Sequence, residues 1–572
     1  MRFDLFAPFR PLVRRGVIAR IVGRLFPSWL HSPLRRTVQG TALIVFTLLV
    51  FWVSWPHDAK PGVVRDGWPA TYAANRESKE IVNADAFLAL DPLVSTTAAL
   101  ATRAWVWSLA WAGVLLVVSL LAPRGFCGWL CPLGTLCDIS DRILARPRIK
   151  QDGGWIHTKY YILLVVAVAS MFGVLLSGFV AAIPLVTRGL AFSVRPLHVG
   201  LILGWREVPP LATSHILAIG LLTAVLAVGV LRPRFWCRHL CPTGALLSIV
   251  STLRLVERKV GPSCTGCGTC VKACSFGAIR PDFKTRTAEC TFCQSCGGAC
   301  PVRAISFAPR WSGIEGKPAD INAAEGGALS RRALIGTSVA AMGAALAMPK
   351  AGSGATVIRP PGSVGEEDFL ALCVRCGACM NACPTSLLQP EGFGSGVLRL
   401  WTPRAATTQA GCDPSCNNCG FMCPTGAIRA LPLAEKRYVR MGLATVDRQT
   451  CLPHAGIKAC QLCADVCRDI GYNAIVMDAK ADDGRSPADT SFEAPIVDSS
   501  KCVGCGYCES QCQDVNVTAG DLAAPAIRVT AGPGREDRIR SGSYRALHTQ
   551  RAASPASGAA TEPAAAGRHA ER

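Results

Sequence analysis

The chain is short of charge, and shorter still of acid. Only 17% of its 572 residues are charged, and 39 Asp and Glu stand against 60 Lys and Arg, a net charge of +21. Half the residues are hydrophobic, and mean hydropathy is +0.30. A chain this poor in charge, with four long apolar runs, belongs with membrane proteins. Its basic excess then reads as cytoplasmic loops. No nucleic-acid-binding motif accompanies it, so no nucleic acid is expected as a partner. No Cys-x-x-Cys-His haem attachment motif occurs, which argues against a c-type cytochrome. The first 36 residues hold eight Arg and one Asp, an arm too basic and interrupted for a cleaved signal peptide. Cysteine, by contrast, is abundant, at 29. A disulfide scaffold of that size belongs to short secreted chains, not to one of this length.

The fold class expected is multi-domain: an α-helical membrane domain of four spans with an internal repeat, followed by α+β ferredoxin-like [4Fe–4S] domains. After the basic arm (1–36), the membrane domain occupies 37–260. Its runs are Val38–Trp55, Ala104–Ala122, Tyr160–Thr187 and Leu211–Leu231, each able to span a bilayer. Trp52, Trp55, Trp105, Trp107, Tyr160 and Tyr161 sit near run ends, as interfacial anchors do. Lys and Arg bias places both ends of this unit in the cytoplasm. The 188–211 loop keeps Arg188, Arg195 and Arg206 and argues only weakly for the outside.

Pro123-Arg124-Gly125-Phe126-Cys127-Gly128-Trp129-Leu130-Cys131-Pro132 matches Pro233-Arg234-Phe235-Trp236-Cys237-Arg238-His239-Leu240-Cys241-Pro242, with Gly134 matching Gly244. Two copies imply two similar helical halves about one axis. Cysteines four apart share a helical face, so Cys127, Cys131, Cys237 and Cys241 can converge as redox candidates. Whether they hold metal, hold a cluster or work as dithiols is open; the bland alternative is four small buried hydrophobes. Cys137, with Leu247 at its repeat position, reads as a core thiol.

Residues 261–310 form a two-cluster ferredoxin domain. Cys264, Cys267, Cys270 and Cys274 have gaps of two, two and three residues, and Cys290, Cys293, Cys296 and Cys300 repeat them. Three close thiolates serve one cubane and the fourth crosses to its neighbour. One [4Fe–4S] cluster is therefore assigned to Cys264, Cys267, Cys270 and Cys300, the other to Cys290, Cys293, Cys296 and Cys274. Zinc modules present separated pairs instead.

A linker follows (311–329), then Ser330-Arg331-Arg332-Ala333-Leu334 and an uncharged run to Met348. This segment (330–350) has the form of an internal twin-arginine export signal. It can be cut after Ala345-Leu346-Ala347 or retained as a fifth helix, and retention is the favoured expectation. Residues 351–530 carry four further quartets: Cys373, Cys376, Cys379, Cys383; Cys412, Cys416, Cys419, Cys423; Cys451, Cys460, Cys463, Cys467; and Cys502, Cys505, Cys508, Cys512. The second and third have widened first gaps. Pairing in this block can be adjacent or nested (first with fourth, second with third), and irregular quartets inside with regular ones outside favour nesting. Residues 531–572 read as a disordered tail. Six quartets take 24 Cys as iron ligands, for six [4Fe–4S] clusters, two cytoplasmic and four periplasmic.

On these motifs, residues 1–310 resemble the membrane ferredoxins of periplasmic nitrate reductase and methylamine utilisation systems, the NapH/MauN type. Residues 325–520 resemble their exported partner, the NapG/MauM type. The unusual feature is fusion. The resemblance implies a multi-pass protein of the bacterial inner membrane with its last ferredoxin domain in the periplasm. It would pass electrons from the quinone pool, or from a cytoplasmic donor, to a periplasmic oxidoreductase or cytochrome, with possible quinol dehydrogenase activity. Its other partners would be the lipid bilayer and the twin-arginine translocation machinery. His198 and His215 are candidates for a quinol site, though local hydrogen bonding at helix ends accounts for them more simply. Two alternatives stand: a maturation factor supplying electrons for cofactor formation in a periplasmic enzyme, and a membrane-bound metal reductase, which the last four quartets disfavour.

Overall fold

The computed structural model describes residues 32–54, 59–72, 86–144, 156–202, 204–205, 208–312, 331–347, 356–478 and 492–553. Most of the basic arm, Trp55, Ser330 and all but the start of the expected linker lie outside the described residues.

The N-terminal part is a helix bundle: α1 (Pro33–Ser54), α2 (Pro92–Thr102), α3 (Ser108–Leu121), α4 (Pro132–Leu144), α5 (Thr158–Met171), α6 (Ala182–Ile202), α7 (Thr213–Ala227) and α8 (Pro242–Val250). Local chemistry starts several of these. Asp91 caps α2, its Oδ1 accepting from the Leu93 N–H at 3.1 Å, with Pro92 in the first turn. Pro132 and Pro242 open α4 and α8 in the same way.

Two helices among the described residues, Pro33–Ser54 and Thr213–Val230, are long and apolar enough to cross a membrane; Ser108–Leu121 and Thr158–Met171 are shorter. The third expected run, Tyr160–Thr187, is not one helix. Helix α5 stops at Met171, Gly173 turns the chain at φ +81°, and α6 starts at Ala182. The break has a steric reason. At Gly178 a Cβ would stand 2.5 Å from the Val374 carbonyl oxygen, so the chain passes directly under the C-terminal block. Arg188 and Arg195, expected in a loop, lie inside α6.

Two ferredoxin blocks sit at opposite ends of the bundle. The first follows α8 and is closed by strand β3 (Val256–Val260) pairing antiparallel with β4 (Ile305–Pro309). The second spans 356–553. Helix α1 touches both. Near its start Arg35 Nε donates to Gly128 O at 3.0 Å and Nη1 to Ser295 Oγ at 3.3 Å; near its end Val50 O accepts from Asn381 Nδ2 at 3.3 Å. Fifteen residues of α-helix separate these contacts by roughly 22 Å. Helix α9 (Arg331–Ala347) runs against α5, burying Ala341 and Ala345 while Ile335 and Leu346 stay exposed.

In the second block, strand β5 (Leu388–Pro390) pairs with β6 (Pro403–Ala405), β7 (Leu443–Val446) with β10 (Ile527–Thr530), and β8 (Ile475–Asp478) with β9 (Ala494–Val497). A small hairpin from the bundle, β1 (Val64–Arg65) with β2 (Trp68–Pro69), reaches this block. Trp68 meets Tyr472 edge-on at 5.2 Å, and the Tyr72 N–H donates to Ser415 Oγ at 2.9 Å. The expected disordered tail is corrected for residues 531–553. Helix α10 (Tyr544–Ala553) is fixed by Glu435, which accepts from Ser543 Oγ and the Tyr544 N–H, each at 2.7 Å. Tyr544 is fully buried. The compositional bias of 531–572 hid these few anchoring residues.

Candidate functional site

None of the 29 cysteines is in a disulfide. In the quartets with regular spacing, the residue after the second Cys adopts a left-handed conformation: Gly268, Gly377 and Gly506 at φ +71°, +80° and +94°, and Gln294 at +57°. That turn folds three thiols around one centre, and glycine adopts it without strain. In the widened quartets the same position is Asn417 (φ −137°) and Gln461 (φ −126°). The extra residues do the turning there.

The quartets exchange their fourth thiols. Cys290, Cys293, Cys296 and Cys274 line one cavity of about 350 Å³. Cys373, Cys376, Cys379 and Cys423 line another of about 350 Å³. Cys451, Cys460, Cys463 and Cys512 line one of about 370 Å³, and Cys502, Cys505, Cys508 and Cys467 one of about 330 Å³. Cys412, Cys416 and Cys419 share their electrostatic surroundings with Cys383. Cys264 and Cys270 likewise face each other.

Pairing in the second block is therefore adjacent, first with second and third with fourth, and the nested expectation is wrong. Hairpins decide it. The β5–β6 pair lies between the first two quartets and the β8–β9 pair between the last two, so neighbours in sequence are folded onto each other.

These cavities suit an iron–sulfur cubane. They are nearly equal in size, each collects four thiols, and the remaining lining is mostly apolar, as a cluster shielded from water requires. Buried cations stand beside them. Arg258 Nη2 lies 3.9 Å from Cys270 Sγ, and Lys436 is buried beside Cys412 and Cys416, its Nζ donating to the Asp413 carbonyl. Burial pushes the thiols of Cys290, Cys376, Cys416 and Cys463 up to about 12, so these sulfurs need a positive centre to ionise.

The repeated Cys-x-x-x-Cys-Pro motifs form a second site in the bundle. Phe126–Leu130 and Trp236–Leu240 are π-helical turns, not the α-helix expected. Each closes with an identical bond, Cys131 N–H to Phe126 O and Cys241 N–H to Trp236 O, both 2.9 Å. The second Cys then leaves the turn extended, as a residue before proline must. Cys241 Sγ accepts from the Gly244 N–H at 3.4 Å, capping α8. Cys127, Cys131, Cys237 and Cys241 lie near one another, and Cys137 lies within hydrogen-bonding reach of Cys237. The core-thiol reading of Cys137 missed that contact, because Leu247 at the repeat position gave no sign of it.

Two arginines frame this site. Arg124 and Arg234, equivalent in the repeat, are left-handed at φ +49° and +53° and fully buried. Arg124 pairs with Glu289 at 2.8 Å, and Arg234 with Asp138 at 2.5 Å. Lys159 also reaches Glu289, at 2.5 Å, and Arg35 and Arg36 reach Asp138 at 3.2 and 2.5 Å. Glu289 immediately precedes Cys290, so the ion pairs fasten the first ferredoxin block to the bundle. Of the histidines, His198 Nδ1 on α6 bonds Ser54 Oγ at the end of α1 at 2.8 Å, a contact between helices and not the local bond expected; His215 packs on Phe192 with ring centroids 4.9 Å apart.

The cysteine cavities and their spacing define a ferredoxin-type iron–sulfur protein. Family models described as 4Fe-4S binding domain match residues 104–151 and 214–262, which contain the two repeats, and residues 263–280 and 369–388. The chain is 35% identical over 204 residues to the methylamine utilization ferredoxin-type protein MauM of Methylobacillus flagellatus, covering 35% of this chain and 80% of that protein. It is 34% identical over 197 residues to the ferredoxin-type protein NapG of Escherichia coli, covering 33% and 78%. It is also 30% identical over 205 residues to the putative electron transport protein YccM of E. coli, covering 33% and 51%. The chain belongs to the family of ferredoxin-type proteins represented by MauM and NapG. No solved structure matches it.

Proposed function

We propose that the chain is a membrane-bound electron conduit in which a NapH/MauN-type membrane ferredoxin is fused to a NapG/MauM-type exported one. Its 24 quartet cysteines hold six [4Fe–4S] clusters, which supply one-electron carriage. The first block faces the cytoplasm and the second the periplasm. Electrons from quinol or a cytoplasmic donor reach a periplasmic oxidoreductase of nitrate reductase or methylamine dehydrogenase type.

The observation that carries this reading is the placement of the two blocks at opposite ends of one bundle, with α1 bonded to both. Exposed apolar side chains along the bundle support a lipid setting: Ile44, Leu48, Val117 and Ile216 are each at least 60% exposed. Helix α9 supports retention of the twin-arginine segment as a further span. It packs on α5 through small residues, as membrane helices do. The chain's own groups do the remaining work. Thiols bind, apolar cavity walls exclude water, and buried Arg and Lys residues balance negative charge.

The test is direct. In membranes supplied with quinol and the periplasmic acceptor, visible cluster absorbance should bleach and recover at turnover rates. Labelling of Cys373–Cys512 from the cytoplasmic side would refute the topology. The maturation reading predicts something else: a target enzyme inactive for lack of cofactor when this chain is absent, yet independent of it once matured.

A further inference from the structure

Helix α6 presents Arg188, Phe192 and Arg195 to the second ferredoxin block, four and three residues apart on one face. The approach is close: a Cβ on Gly377 would stand 3.1 Å from the Phe192 ring. Arg188 is fully buried. Its Nη1 donates to Gly178 O and Arg375 O, both at 3.0 Å, and its guanidinium lies 3.8 Å over the Trp401 ring. Its Nε and Nη2 have no hydrogen-bond partner among the described residues, and no carboxylate there pairs with it. The side chains it faces are the sulfurs of Cys376 and Cys373, with the Arg375 guanidinium beside them. Arg195 donates to the carbonyls of Asn381 and Cys383 and, at 2.9 Å, to Ser386 Oγ; it too has no carboxylate among the described residues and faces the Cys383 thiol.

A buried guanidinium without a counter-ion is costly. Arg124 and Arg234, at the other end of the bundle, each have a carboxylate. Arg188 and Arg195 have thiol sites instead. We propose that these two arginines are counter-charges supplied by the helical half to the two clusters nearest it. Arg188 raises the reduction potential of the cluster held by Cys373, Cys376, Cys379 and Cys423. Arg195 does the same for the one held by Cys383, Cys412, Cys416 and Cys419. A fixed positive charge in a dry site favours the form carrying one more electron. Potentials in the second block are thus partly written in the bundle.

This inference rests on the cluster assignment above, so iron content and total reducible spin come first; a wild-type chain without clusters would refute that assignment, not the arginine roles. The experiment is a potentiometric titration of the full chain followed by electron paramagnetic resonance. Arg188→Met should move one couple to lower potential and Arg195→Met a different one, with the other four unchanged. Arg188→Lys should recover most of the shift. Arg404→Met, a side chain 42% exposed, serves as control and should move none. If Arg188→Met fails to load its cluster, Arg188→Lys and Arg195→Met decide. Unchanged couples in loaded Met variants would overturn the proposal, as would an equal shift of all six.

Discussion

The Cys412 N–H donates to the Cys505 carbonyl across 2.8 Å, joining two thiol pairs that separate hairpins build. One hydrogen bond thus links the backbones of two neighbouring cluster sites. The seam continues where the Met441 N–H meets Val503 O at 2.9 Å. Gly504 sits inside it at φ +66°, and a Cβ there would fall 2.3 Å from Gly442 O. Gly504→Ala should part the seam and cost about 1–3 kcal/mol. Reduction of the pair held by the third and fourth quartets should then lag that of the pair held by the first and second by tenfold or more in freeze-quench spectra. Equal rates would show that the seam does not matter.

Glu289 holds Arg124 and Lys159 together at the base of the bundle. Replacing it with Gln leaves two buried cations facing an amide. Breaking such a pair costs about 3–5 kcal/mol. The expected result is faster proteolysis of residues 261–312 with the second block unaffected. Glu257, which pairs with Arg254 and Lys259 nearer the surface, is the comparison, and Glu257→Gln should cost less.

Acid should loosen the contact between the second block and its C-terminal segment. Burial alone would raise the Glu366 carboxyl, but Arg359 and Arg538 outweigh it and hold it down to about 2. A depressed carboxylate adds stability that is complete above the ordinary Glu value of 4.5 and lost as pH falls through about 2. Glu366→Gln should therefore lower the denaturation midpoint at pH 7 by the equivalent of about 2 kcal/mol. The gap between variant and wild type should narrow steadily as pH falls from about 5 to about 3. A gap that is constant with pH would mean the carboxylate charge is irrelevant.

Replacing Cys127 and Cys237 with Ser tests the tetrathiol site. Both side chains lie in the π-helical turns, at the end of the bundle that meets the first ferredoxin block. The double variant should retain the iron content of the wild type, near 24 per chain if all six quartets of the sequence are loaded. It should lose electron transfer between the two faces. Unimpaired transfer would remove these thiols from the path.

Much of the thiol chemistry was legible in the sequence because ligand spacing is a local property. Gaps of two, two and three residues dictate the left-handed turn at Gly377 and Gly506, and a Cys before Pro dictates the extended exit at Cys131 and Cys241. What failed was whatever depends on a partner distant in the chain. Arg188 and Arg195 read as loop charges because they end an apolar run. Arg188 is buried, and Arg195 half-buried, because residues 373–386 cover them. The third apolar run looked continuous because Gly173 and Gly178 carry no polarity to mark the break. Nested pairing was inferred from gap irregularity, whereas the hairpins between quartets control which thiols meet.

The exchange of Arg124 and Arg234 has one further consequence. Arg234 Nη1 donates to Cys127 O at 3.3 Å and would stand 3.4 Å from a methyl on Gly134; Arg124 Nη2 would stand 3.1 Å from one on Gly244. Each copy of the duplicated unit thus wears the other's arm. The earlier copy stays unfinished on the ribosome until more than a hundred later residues have been made, and neither can be expressed alone as a complete module.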